Sequence, residues 1–275
     1  MTQKFDANIF LEKIRPELLD LAEVNIFIPN HEQLSKTHIP LLKQIDLVWC
    51  KTRCADEIFS RLDVRSEFLG FTSSDRSIPS VQPDYRQFFL LAGKSVERRG
   101  TSQILAMWQQ NPQFPKLTAI AHDFDRSPYR DYNNICVHDQ YVDETTLKQL
   151  QNQIGIHLCL SESEGFGHFM MEAMSARACV VTTNAPPMNE LVRRERGYLV
   201  KVTEATTLEN YVSQRYHFCP NNLRQTIETL IASPTQVKAS SGQQARAYYE
   251  KNTELFQARL RQSLANAISS RMGKY

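Results

Sequence analysis

Residues 158–192 read LCLSESEGFGHFMMEAMSARACVVTTNAPPMNELV. An apolar strand ending at Leu160 breaks at Ser161-Glu162-Ser163-Glu164-Gly165-Phe166-Gly167 and turns directly into a helix, and a second apolar strand, ACVVTT (178–183), follows. Strand, helix and strand at this spacing form a parallel unit with a right-handed crossover, so the loops leaving the strands gather on one sheet edge. Gly165 and Gly167 allow the backbone to approach a ligand closely. The free N–H groups of the new helix point over that edge, a place suited to phosphate or sugar oxygens. Glu164 lies in the turn and Glu172 about two helical turns further on, so both carboxylates can face one ligand from different heights.

The same alternation extends outward. Downstream of residue 87 it reads FFLLAG, a helix over 101–110, LTAIAH, ICVH, a helix over 143–153, IHLCLS, a helix from about Gly167, ACVVTT and GYLVKV, the pattern of a doubly wound sheet. Upstream, ANIFLEKI, VNIFIP, IDLVWC and RSEFLGF read as four strands, and CADEIFSRL places Ala55, Ile58, Phe59 and Leu62 on one helical face. Residues 72–87 are polar with two prolines and read as a linker. From Gly242 the apolar residues Phe256, Leu260, Leu264 and Ile268 form a stripe that predicts a long closing helix with a surface to cover. The expected organisation is a small N-terminal domain (1–78), a ligand-binding domain (79–241) and a closing helix (242–275) that packs back on the first domain.

The 275-residue length suits two small domains at about 150 residues each. With 41% hydrophobic and 23% charged residues the chain is globular rather than disordered or fibrous. A net charge of +2 is too small a surplus for phosphate-backbone binding, so no nucleic acid partner is expected. No apolar run approaches a bilayer span and no basic head with an apolar stretch opens the chain. Six scattered cysteines, three of them in strand-like apolar runs, point to a reducing, cytoplasmic setting. Cys50 and Cys54 lack the second pair or spaced histidine that a zinc site needs. Trp49 and Trp108 suit core packing.

The motif E-G-F-G-x-x-x-x-E followed by P-x-x-E-L-V resembles the retaining family 4 glycosyltransferases of the GT-B fold, with Glu164 and Glu172 in the places of that family's E-x7-E pair. A-G-K-S-V-E-R-R-G (92–100) is similar to the family's basic phosphate clamp, with Lys94 and Arg99 in its two basic places, and V-D-E-T-T-L from Val142 resembles the segment that touches the nucleotide base. The likeness covers roughly residues 88–200 well. It implies an α/β protein with two Rossmann-like parallel-sheet domains, the first reduced. The implied activity is sugar transfer from a nucleotide diphosphate-sugar to a saccharide, lipid-linked or protein acceptor with retention of configuration. Lys94 and Arg99 would hold the diphosphate, the backbone of Gly165, Phe166 and Gly167 would meet sugar and phosphate oxygens, Glu172 would bind the ribose, and Glu164 would sit beside the transferred sugar. Two fixed cations can stabilise the leaving diphosphate, so neither a metal nor another cofactor is expected.

The N-terminal part departs from the family: it is about half the usual size and contains only Gly70 before Gly93, so no glycine loop follows its first strand. His31, in I-P-N-H-E after a strand end, is the candidate for the family's histidine near the sugar; His38 and, after another strand, Arg76 are further candidates. The reduced acceptor half leaves a rival reading, a non-catalytic nucleotide-sugar-binding module working with a partner subunit, and a homo-oligomer is a further possibility. Glu190 is expected to cap or brace the adjoining helix rather than react. G-F-G-H-F-M lacks the third glycine of a dinucleotide fingerprint. His122-Asp123-Phe124-Asp125 contains a D-x-D spacing suited to a metal-bound diphosphate, a short pattern that arises often by chance.

Overall fold

The computed structural model describes residues 4–272. Its first sheet contains β1 (Phe5–Leu11), β2 (Ala22–Ile28), β3 (Leu47–Cys50) and β4 (Ser66–Phe68), all parallel and in chain order. Alternation along β2 and β3 divides their side chains between two covered faces. Phe27, Val48 and Cys50 pack with Phe10, Leu42, Ala55 and Phe59 on one face, under helix α1 (Arg53–Ser60) and short 3₁₀ turns. Ile26, Leu47 and Trp49 face the other way, beneath the C-terminal helix α7 (Thr235–Met272).

The second sheet contains β5 (Asp84–Gly93), β6 (Leu117–Ala121), β7 (Ile135–His138), β8 (Ile154–Cys159), β9 (Cys179–Thr183) and β10 (Gly197–Val200). Its order is β10-β9-β8-β5-β6-β7, again all parallel. Helices α2 (Thr101–Gln109), α3 (Glu144–Gln153), α4 (His168–Ser175) and α5 (Met188–Leu191) connect the strands. From β5 the chain winds outward to β6 and β7, then returns to lay β8 on the other side of β5 and winds outward again. The strand order therefore reverses between β5 and β8, and a crevice opens beyond their carboxyl ends. Strands β8 and β9 are buried along their whole length, as two-sided parallel strands require.

Three features differ from the sequence expectation. An antiparallel hairpin, β11 (Val202–Thr207) and β12 (Gln214–Phe218), follows β10; its polar strands carry little apolar alternation to announce it. Helix α6 (Pro220–Ala232) is a further element beyond the expected set, built on the spacing of Leu223, Ile227 and Leu230 behind a first-turn proline. Helix α7 begins at Thr235 rather than near Gly242. Gly242 lies inside it, where a Cβ would come within 2.1 Å of the Arg177 carbonyl oxygen; the glycine allows the helix to cross that backbone. Phe256, Leu260 and Leu264 of α7 join Ala267 against the first sheet.

The polar 72–87 segment is docked rather than free. Arg76 is buried: its Nε donates to Gln151 Oε1 at 2.8 Å, Nη1 pairs with Glu144, and its backbone N–H donates to Ser175 Oγ at 2.8 Å. The guanidinium that the sequence offered to phosphate or acceptor is thus engaged by α3. Among the described residues no helix is long and apolar enough to cross a membrane.

Candidate functional site

The crevice at the β5/β8 reversal receives two loops. The loop after β8 is tied down residue by residue. Thr183 Oγ1 donates to the Ser161 carbonyl at 2.9 Å, Glu162 N–H donates to the Arg98 carbonyl at 3.0 Å, and Ser161 Oγ donates to Glu164 Oε1 at 2.8 Å. Glu162 also meets His217 Nδ1 of β12 at 2.9 Å. Gly167 then starts α4 at φ 106°, a conformation that favours glycine, and a Cβ there would lie 2.2 Å from Met170 Cε.

The loop after β5 carries the two basic candidates. Lys94 is exposed at its start. Arg99 is folded inward, with its guanidinium 3.8 Å from the Phe169 ring centroid on α4 and Nη1 donating to the Leu91 carbonyl. Its Nε is buried without a hydrogen-bond partner. Burial lowers the Arg99 pKa, opposed by the charges of Glu164, Cys159 and Glu172. An arginine placed in this way, near two carboxylates and beside a helix N-terminus, keeps one donor unpaired at the edge where the crevice lies.

Glu172 is half-buried on α4, and Gln151 Nε2 donates to its Oε2 at 3.3 Å. Burial raises its pKa, opposed by Arg76 and the Gln151 hydrogen bond. Val142 is half-buried against the Phe89, Ile120 and Ile154 cluster, immediately before the Asp143 cap of α3. Beside it Tyr141 is 80% exposed.

The first sheet closes over this arrangement, and here the sequence reading was incomplete. The space a side chain would fill at Gly165 is taken by Asn30 Oδ1 and Glu32 Oε2, 2.5 and 2.6 Å from a Cβ built there. Asn30, Glu32 and Lys51 all follow strands of the first sheet. Lys51 is buried and donates to Asn30 Oδ1. Glu32 Oε2 is buried without a partner; burial raises the pKa of this carboxyl, and the charge of Glu164 adds to the rise. His31 is buried, with Nε2 4.0 Å from Cys54 Sγ and Nδ1 unpartnered. Burial, then the Lys51 charge, brings its pKa down to about 4, so the ring is neutral. The only sequence signal for Asn30 and Glu32 was their place after β2, which marks the right edge without naming a contact. His38 lies apart, lining a pocket with Lys13, Phe27 and Leu41. Asp125 accepts the Ser127 N–H at 2.9 Å within its own turn.

Two further links join the halves. Glu190 accepts the backbone N–H groups of Arg53 and Cys54, each at 2.8 Å, so it caps α1 of the other sheet rather than its own helix. The loop of the β11–β12 hairpin pairs with the segment after β2, where Lys36 N–H donates to the Asn210 carbonyl at 3.0 Å.

Residues 130–224 match the family model described as "Glycosyl transferases group 1". No curated protein is a significant match. Among solved structures the fold is similar to the pneumococcal O-GlcNAc transferase GtfA in complex with UDP and GlcNAc (TM-score 0.67, 11% identity, 96% of this chain and 58% of that chain). It is also similar to Anabaena HepE in complex with UDP (TM-score 0.68, 16% identity, 96% and 79%) and to a Rickettsia africae glycosyltransferase (TM-score 0.71, 12% identity, 95% and 77%). The chain spans 58% of the length of the GtfA structure. The fold is α/β with two parallel sheets across a cleft, the Rossmann-like GT-B arrangement.

Proposed function

We propose that the chain is a retaining glycosyltransferase that moves a sugar from a nucleotide diphosphate-sugar to an acceptor hydroxyl. The observation that carries this reading is Arg99, a half-buried arginine with a buried, unpartnered Nε, held on Phe169 at the β5/β8 reversal. The matching family model over 130–224 supports it.

In this reading Arg99 and the exposed Lys94 neutralise the diphosphate, and the N–H groups of Phe166 and Gly167 at the start of α4 meet its oxygens. Negative charge grows on the leaving diphosphate as the glycosidic bond breaks. Cations already in place stabilise it without reorganisation, so a metal ion is not needed. Glu172, next to α3, accepts the ribose hydroxyls, while Val142 contacts the base. Glu164 holds a hydroxyl of the transferred sugar. Attack on the face the diphosphate leaves would retain configuration, with a diphosphate oxygen taking the acceptor proton, so no separate base is required. His31, neutral and buried in the closing loop, positions that loop over the sugar.

The test is a thermal-shift and calorimetric panel of nucleoside diphosphates and their sugars, since ligand binding to the folded state raises its apparent stability. The expected result is a nucleotide-dependent shift, followed by transfer that persists in excess chelator. Absence of any nucleotide binding overturns the reading. Binding without turnover on any acceptor would favour the non-catalytic module.

A further inference from the structure

A second cleft, of ≈ 260 Å³, lies between the carboxyl edge of the first sheet, the segment around α5 and the middle of α7. Six cations line it: Lys51, Arg53, Arg193, Arg196, Lys251 and Arg259, against the single carboxylate of Glu190. That carboxylate is occupied by the Arg53 and Cys54 N–H groups. In a chain whose net charge is only +2, such convergence is a local arrangement and not a reflection of composition.

Two of the cations have carboxylate partners outside the cleft lining, Arg196 with Glu195 at 2.7 Å and Lys251 with Glu254 at 3.6 Å, whereas Arg53, Arg193 and Arg259 form no ion pair among the described residues. Arg53 and Arg259 both stand over the Phe68 ring, 4.5 and 5.2 Å from its centroid, and neither forms an ion pair among the described residues. Arg196 is buried over Tyr248 at 3.9 Å with its N–H groups spent on the Leu191 and Glu190 carbonyls and on Glu195, and Lys51 is buried and donates to Asn30 Oδ1, so the forks free of carboxylates are those of Arg53, Arg193 and Arg259. Aromatic faces orient guanidinium groups while leaving their N–H edges free. With Glu190 and the Glu195 and Glu254 partners set against the six cations, an excess of about three positive charges remains, which suits a multiply charged oxyanion. Arginine forks match phosphate oxygens, and a phosphate monoester carries close to two charges at neutral pH, whereas a carboxylate carries one. The volume is near the small end of ligand sites, enough for a phosphorylated sugar or a phosphate head group and too small for a dinucleotide.

We propose that this cleft binds a phosphate ester carried by the acceptor. Phe166 lines the cleft and belongs to the same turn as Glu164, so a phosphate held here places the rest of its molecule toward the transfer site. That the ester belongs to the acceptor rests on the glycosyl-transfer reading; the phosphate site itself does not.

Calorimetry with inorganic phosphate and glucose 6-phosphate, in parallel with UDP, tests it on the intact chain. Arg53→Gln and Lys251→Gln change exposed side chains, and Arg259→Gln removes the half-buried fork. Each cation removed should weaken glucose 6-phosphate by about tenfold, the worth of a charge-assisted hydrogen bond. UDP affinity should stay unchanged. Sedimentation with phosphatidylcholine vesicles, with and without phosphatidic acid, separates the sources: glucose 6-phosphate binding alone supports a soluble phosphorylated acceptor, and vesicle binding that glucose 6-phosphate displaces supports a lipid-carried one. No binding of either probe, or binding indifferent to all three substitutions, overturns the proposal. Loss of UDP binding alone would fail the donor reading and leave the phosphate result standing.

Discussion

The Glu190 carboxylate accepts the Arg53 backbone N–H at 2.8 Å across 137 positions of sequence, so a residue of the second sheet's layer caps a helix of the first. Thr52 satisfies one further donor of that helix, the Ala55 N–H. Glu190→Ala should cost about 1–2 kcal/mol, the range for a lost N-terminal cap. Hydrogen exchange should rise most at the amides of 53–56, and urea unfolding gives the total. An unchanged exchange pattern would show that the contact does not couple the two sheets.

Gly165→Ala should destabilise by overpacking, about 1–3 kcal/mol, because its Cβ meets Asn30 and Glu32. Asn30 cannot simply swing aside: it accepts from Lys51, and its Nδ2 donates to Glu12 Oε1 at 2.6 Å. Adding Asn30→Ala should recover part of the loss. No partner substitution should rescue Gly167→Ala fully, since its φ of 106° is itself strained for a side chain. Paired denaturation curves distinguish the two glycines.

Trp49 Nε1 donates to Ser263 Oγ at 2.8 Å, and that hydroxyl donates to Glu67 Oε2 at 2.5 Å, a chain that ties β3 and β4 to α7. Ser263→Ala leaves a buried indole N–H unpaired and should cost about 1–3 kcal/mol. Tryptophan fluorescence followed through urea unfolding measures it; a shift of a few tenths would mean that the helix is held by its apolar stripe alone.

His31 and His157 are buried, and desolvation lowers each pKa from 6.5 to about 4, with Lys51 adding to the effect at His31. Between those values the unfolded chain binds protons that the native state refuses. Their contribution is therefore complete above pH 6.5 and is lost as pH falls toward 4, on the order of 3 kcal/mol for each group. Half-buried Glu32, Glu172 and Glu190, with raised pKa values, act in the opposite sense. The difference between native chain and His31→Asn isolates the histidine: the variant should lose less stability between pH 7 and pH 4.5. Equal losses in urea midpoint would remove His31 from the account.

Glu172→Ala should weaken nucleotide binding, whereas Glu164→Ala should chiefly lower kcat, by about tenfold or more for a contact made to the transferred sugar. Calorimetry and turnover on the two folded variants decide it. Unchanged nucleotide affinity in Glu172→Ala would remove the ribose assignment.

The turn from Ser161 to Gly167 and its following helix were legible because the determinants are local: a fully buried strand, glycines at a break, and an apolar helix within thirty residues. The strands of both sheets were legible for the same reason, and the α7 stripe announced a surface it must cover. Only the tertiary structure set β5 beside β8, which brings Arg99 to Glu164 and Glu172; strand order is a property of crossovers, and period-two patterns carry none of it. Asn30 and Glu32 against Gly165, and Glu190 on α1, likewise arise from polar contacts between segments more than 130 positions apart. Such contacts leave no periodicity in the chain, because each is satisfied by whichever backbone or side-chain group the packed sheets happen to bring within reach.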